Sequence, residues 1–160
     1  MRFSRMHLLG ASVGIAVVGS FAPQALASPP SGLVASTLVV ANFDHTVHIN
    51  SDRVKFQTKD ATDVRVQKIV LAAGGRSGWH HHPGIVLAAV ESGAVTFTDG
   101  QCHSTTYGPG LPAGAVFAEG GDDPGQASSS GGATLYVTFV APSTDPPVFR
   151  IEDAAPACAS

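Results

Sequence analysis

Three of the seven histidines stand in a single run, Trp79-His80-His81-His82-Pro83-Gly84. A neutral imidazole offers a nitrogen lone pair at ordinary pH, which makes histidine the commonest metal ligand. On a β-strand successive side chains alternate faces. His80 and His82 therefore point one way and His81 the other, and two imidazoles at this spacing suit one transition metal. Two donors do not complete a site, so spacing alone also allows a surface histidine cluster at a strand end. Other ligand-type side chains are scattered. His103 stands beside Cys102 in a polar stretch, Glu119 follows the apolar Ala115–Ala118, and Asp122 and Asp123 lie in a glycine-rich segment. Trp79 can present its ring either to a core or to a ligand. His45 and His48 carry no assigned role. The chain has no G-x-S-x-G elbow and no phosphate-cradling glycine loop.

The elements that must hold these residues read as short strands. Val54, Phe56 and Thr58 alternate with polar neighbours, and so do Val64, Val66 and Lys68 ahead of Ile69-Val70-Leu71. Ile85–Val90 is a continuous apolar run, as in a strand buried on both faces. Val95–Asp99, Ala115–Ala118, Thr134–Val140 and Val148–Ile151 complete the set. Clusters rich in Gly, Pro, Asp and Ser at 73–78, 91–93, 107–114 and 120–132 read as the turns between them. Residues 28–36 read as a mobile Ser/Pro/Gly lead-in. No apolar period of 3.6 residues persists beyond two turns. The pattern predicts one all-β domain, a sandwich or a barrel.

The motif Gly75-x4-His80-x-His82-x3-Val86-x6-Gly93 resembles the first motif of the cupins, and Gly74 restores the usual five-residue spacing to the first histidine. The stretch from Thr62 to Gly84 is similar to small, secreted, single-domain bacterial cupins, and the resemblance spans roughly residues 44–158. It implies a small jelly-roll-like antiparallel barrel, with His80 and His82 as two of four usual ligands to a divalent transition metal. The other two are missing. Val86, an apolar wall, stands where the family places a glutamate. The second motif, counted from Gly114, lands on Gly120, Asp122, Gly125 and Ser129, so Gly125 stands in place of the last histidine. Candidate replacements are His103, Glu119 and Asp122, and Trp79 and Val86 are expected to line the ligand pocket. Two neutral donors alone predict weak metal binding, strongest for copper and weakest for manganese, fading below about pH 6 as the imidazoles protonate.

Residues 1–27 read as an export signal: Arg2 and Arg5, an uncharged run from Leu8 to Ala22, then Ala25-Leu26-Ala27 before Ser28. Cleavage leaves residues 28–43 as lead-in and first strand, then the barrel at 44–158, with no membrane attachment. In an oxidising compartment a lone pair of cysteines usually bonds, so Cys102 and Cys158 are expected to form a disulfide. A formal charge of -3 on 160 residues gives no basic footprint for nucleic acid. Three readings of function stay open. One is a module binding a small molecule, a loosely held metal, or both. Another is a metal-dependent enzyme of oxygenase or isomerase type using His80 and His82. The last is a structural or partner-binding barrel without metal. A fold by itself does not choose among them.

Overall fold

The computed structural model describes residues 28–159. The export signal read at 1–27 lies outside the described residues. The described chain runs through β1 (Ser31–Phe43), β2 (His48–Asn50), β3 (Lys55–Gln57), β4 (Thr62–Arg76), β5 (His80–Gly93), β6 (Val95–Asp99), β7 (Ser104–Tyr107), β8 (Val116–Ser129), β9 (Ala133–Pro142) and β10 (Ile151–Glu152). One 3-10 turn, Ala157–Ala159, follows. The expected all-β class is what the structure shows.

β2 and β3 form a separate hairpin, and the other strands make one antiparallel sheet in the order β1-β4-β9-β5-β8-β6-β7. This sheet closes on itself. The far end of β4 pairs with β8 through Gly75–Ser129 and Arg76–Ser128, so β4, β9, β5 and β8 form a ring. The ring encloses one core, while β1 and β7 remain as edge strands. That core comes from strand alternation. Val86, Ala88 and Val90 of β5 face in, as do Leu135, Val137 and Phe139 of β9, and all are buried. Ile85 and Leu87 face out, about half exposed. The disulfide is formed, with Cys102 and Cys158 6.2 Å apart at Cα. It ties the chain end to the turn between β6 and β7. Closing a loop of this length contributes about 4 kcal/mol in the chain-entropy model.

Four boundaries differ from the sequence reading. The lead-in becomes β1 from Ser31, paired with β4 from Ser31–Arg76 to Phe43–Thr62. The turn expected at 73–78 shrinks, because β4 continues through Gly74 and Gly75 to Arg76. The loop expected at 120–132 is strand as far as Ser129. In these three, ladder hydrogen bonds from neighbouring strands outweigh weak local β-propensity. The strand expected at Val148–Ile151 is reduced to β10, while Phe149 is buried in the core.

Candidate metal centre

β5 enters the barrel with its histidines. His80 and His82 are buried, at 6% and 3% exposure, and both line a cavity of about 260 Å³. His81 points the other way, and its Nδ1–H donates to the Asp153 carboxylate, 2.7 Å away. Between His82 and Ile85, β5 advances three residues while β8 advances one, from Gly121 to Gly120. The bulge holds Pro83 and Gly84. Proline has no N–H to give a ladder, so a bulge is where a strand tolerates it. Gly84 is required there, since a Cβ on it would lie 2.0 Å from the Val140 carbonyl oxygen. Because the bulge adds an even number of residues, the inward face continues unbroken from His82 to Val86.

The backbone sets the state of both imidazoles. His80 Nδ1 is 2.9 Å from the Gly78 carbonyl, and His82 Nδ1 is bonded to the Phe149 carbonyl. A carbonyl only accepts, so each Nδ1 carries the proton and donates it. Each Nε2 is then left as a bare lone pair. Burial pushes His80 down to about 4, with the Arg150 charge adding to the effect and the Gly78 bond opposing it. Burial likewise holds His82 below the usual histidine range. Both rings are neutral near pH 7, and Nδ1–H bonded to a carbonyl is the usual support of a metal-binding histidine.

The third member comes from β8. Phe117 and Glu119 are on its inward face and both line the cavity. Glu119 pairs in register with Val86 of β5, and directly opposed residues share a face. A carboxylate thus stands across the ladder from the position where the motif lacks one. Its Oε1 lies 3.7 Å from His82 Nε2. Burial pushes Glu119 up to about 7, against a lowering by Arg150. With a neutral imidazole facing a carboxyl that resists ionisation, this contact is not an ion pair. Nor is it a hydrogen bond, which would need about 3.2 Å or less. His82 Nε2 is buried with no partner.

Ligand-type atoms of His80, His82 and Glu119 all lie within 4.8 Å of one another. Two donors about 2.1 Å from a tetrahedral ion are ~3.4 Å apart. The separation of 3.7 Å is therefore close to what a shared ion requires. The orphaned Nε2, the carbonyl-anchored rings and the N/N/O donor set all fit a divalent transition metal.

Gly125 also belongs to the site. It pairs with His80 across the ladder. A Cβ placed on it would meet the Phe97 ring at 2.5 and 2.7 Å and Glu119 Oε2 at 3.4 Å. Where the cupin motif has its last histidine, the ring and the Glu119 carboxylate fill the space, so no side chain fits.

The remaining candidates lie elsewhere. His103 is exposed in the turn after β6, 3.3 Å from Asp99. Asp122 is exposed on β8, where the strand has passed beyond the cavity-facing Glu119. Trp79 and Val86 are 4% and 1% exposed, but neither lines the cavity. Both are taken up by packing, the usual end of a large apolar side chain in a closed barrel. The walls that sequence reasoning missed include Leu33 and Ala35 of β1, and Arg65 of β4. Alternation in β4 set Val64 and Val66 against polar neighbours and so pointed Arg65 outward, whereas the structure turns Arg65, Gln67 and Ile69 to the cavity. The two β1 residues were hidden by the reading of that segment as a lead-in.

Neither a protein-family model nor a curated protein matches the chain. Among solved structures it is similar to a conserved protein of unknown function from Streptococcus pyogenes. That match has 15% identity and a TM-score of 0.49 and covers 70% of this chain and 76% of that one. It is also similar to a salicylate 1,2-dioxygenase from Pseudaminobacter salicylatoxidans, with 19% identity and a TM-score of 0.41, covering 47% of this chain and 20% of that one. Likeness at this level assigns neither site residues nor chemistry. Among the described residues, no helix is long and apolar enough to cross a membrane.

Proposed function

We propose that this chain is an exported, single-domain cupin that holds a divalent transition metal through His80, His82 and Glu119 and admits a small molecule beside it. The observation that carries the reading is the pair of buried imidazoles, each with Nδ1–H committed to a carbonyl, with His82 Nε2 unpartnered 3.7 Å from a buried carboxyl. Burying such groups without an ion costs free energy. The disulfide suits an oxidising compartment, and with it the export signal read at 1–27. Glu119 changes the expected affinity. A third, anionic donor replaces the two-donor site expected from the motif, so binding should be firm.

A metal-dependent enzyme is the second reading, favoured by one feature. Three protein ligands facing a cavity leave coordination positions open, as catalytic rather than structural sites do. The bound ion would act as a Lewis acid or redox centre there. The chain itself would fix the imidazole orientations through Gly78 and Phe149. It would give up the Glu119 proton as the ion binds, and its apolar walls would exclude water.

Titration of the EDTA-treated protein with nickel, zinc and iron(II) tests the proposal. One equivalent should bind wild type and none the His80→Ala/His82→Ala double variant. Absence of uptake by wild type would refute the metal site and leave a structural or purely small-molecule-binding barrel.

A further inference from the structure

Two arginines line the cavity, in opposite circumstances. Arg150 donates from Nε and Nη2 to the Glu152 carboxylate, and from Nη2 to the Ser77 carbonyl at 2.7 Å. Its charge is answered. Arg65 occupies the inward face of β4, between Val40 of β1 and Phe139 of β9. Its side chain has no hydrogen bond and no ion pair among the described residues, and its Nε is buried without a partner.

A buried guanidinium Nε with nothing to donate to is costly. Arg65 is nonetheless held in place. Its guanidinium carbon lies 4.1 Å from the centroid of the Phe149 ring. That cation–π contact engages no N–H of Arg65 in a hydrogen bond, so the terminal Nη groups keep their donors. Phe149 is also the residue whose carbonyl accepts the proton of His82 Nδ1. One residue thus positions the arginine with its ring and the imidazole with its backbone.

Charge accounting points the same way, and this step rests on the metal reading above. A divalent ion with ionised Glu119 leaves one positive charge at the centre. Arg150 and Glu152 cancel, and Arg65 adds a second. Glu119 is the one acid on the cavity wall. The rest is largely apolar, including Leu135, Val137 and Phe139. The volume of about 260 Å³ falls just below the roughly 300 Å³ at which drug-sized ligands begin to fit.

We infer that the cavity takes a compact organic carboxylate, its charged end on the planar fork of Arg65 and its apolar body against the β9 wall. Guanidinium and carboxylate match in a two-point contact that a lysine cannot reproduce. An apolar carboxylate also explains why an unpaired cationic side chain is set beside the apolar β9 residues Leu135, Val137 and Phe139.

Calorimetric titration with benzoate and with its neutral isostere benzamide tests this in both metal-loaded and EDTA-treated protein. Wild type should prefer benzoate by tenfold or more. Arg65→Met, which retains a long side chain against Phe149, should lose that preference without losing metal stoichiometry. Arg65→Lys should retain part of it. Equal binding of the two probes, no benzoate binding at millimolar concentration, or a preference unchanged in Arg65→Met would overturn the inference. Should Arg65→Met fail to fold, the wild-type comparison and Arg65→Lys still decide it. Failure of metal uptake with an Arg65-dependent preference intact would refute the metal reading alone. Normal metal uptake with no preference would refute the anion site alone.

Discussion

Replacing Glu119 by Gln should have opposite effects on stability and on metal binding. Glu119 is held at about 7 in the folded protein against an ordinary value of 4.5. The difference is about 2.5 pH units, and each unit is worth about 1.4 kcal/mol. Above pH 7 the folded metal-free protein therefore bears a cost of about 3 kcal/mol for keeping this carboxylate ionised. The sign follows from the raised folded value. Below pH 4.5 both folded and unfolded chains carry the proton and the cost vanishes. Between 4.5 and 7 the unfolded chain loses its proton first, so stability falls as pH rises. Glutamine removes the titration. Urea unfolding of EDTA-treated protein should show Glu119→Gln close to wild type at pH 4.5 and up to about 3 kcal/mol more stable at pH 8. His80, which titrates in both proteins, cancels in that difference. The same variant should bind nickel at least tenfold more weakly, by analogy with losses of 10–100-fold for ligand-supporting groups. Equal stability at pH 8 would show that the carboxyl is not desolvated as the structure has it. Unchanged nickel affinity would show that it is not a ligand.

Metal uptake should follow Glu119 more than the histidines. With His80 already down at about 4, binding should weaken as pH falls below about 7. Loading near pH 6 should release close to one proton and at pH 8.5 almost none, measurable by calorimetry in buffers of different ionisation enthalpy. His81→Ala should leave uptake intact and cost about 1 kcal/mol, the usual worth of one partly buried hydrogen bond, whereas His80→Ala/His82→Ala should abolish uptake. Gly125→Ala should destabilise by about 1–3 kcal/mol through overpacking, since Phe97 must leave its stack on Phe117, 5.4 Å away; a variant as stable as wild type in thermal unfolding would contradict the packing. Thiol titration of the unfolded, unreduced protein should find no free thiol, and reduction should lower the unfolding midpoint.

Much of this protein was legible as sequence because strand geometry is periodic. Alternation put His80 and His82 on one face and His81 on the other before any fold was known, whereas the unbroken apolar run Ile85–Val90 read as buried on both faces, and only the closed barrel shows that Val86, Ala88 and Val90 face in while Ile85 and Leu87 face out. A lone pair of cysteines, with residues 1–27 read as an export signal, was enough to expect the Cys102–Cys158 bond. Other features depended on contacts between strands far apart in the chain. β1 formed from a segment of poor local signal because β4 offered it a ladder. The glycine-rich segment after Glu119 became strand because β5, β6 and β4 all pair with it. That pairing decided the site. The register of β8 on β5 set Glu119 opposite Val86 and Gly125 opposite His80, so the carboxylate missing from one strand stands on its neighbour. A sequence motif records residues along one strand, and it cannot record a carboxylate that arrives through a cross-strand pair. Tertiary burial likewise decided the protonation states, since the same His80 and Glu119 in water would keep ordinary values and only the closed barrel removes that water.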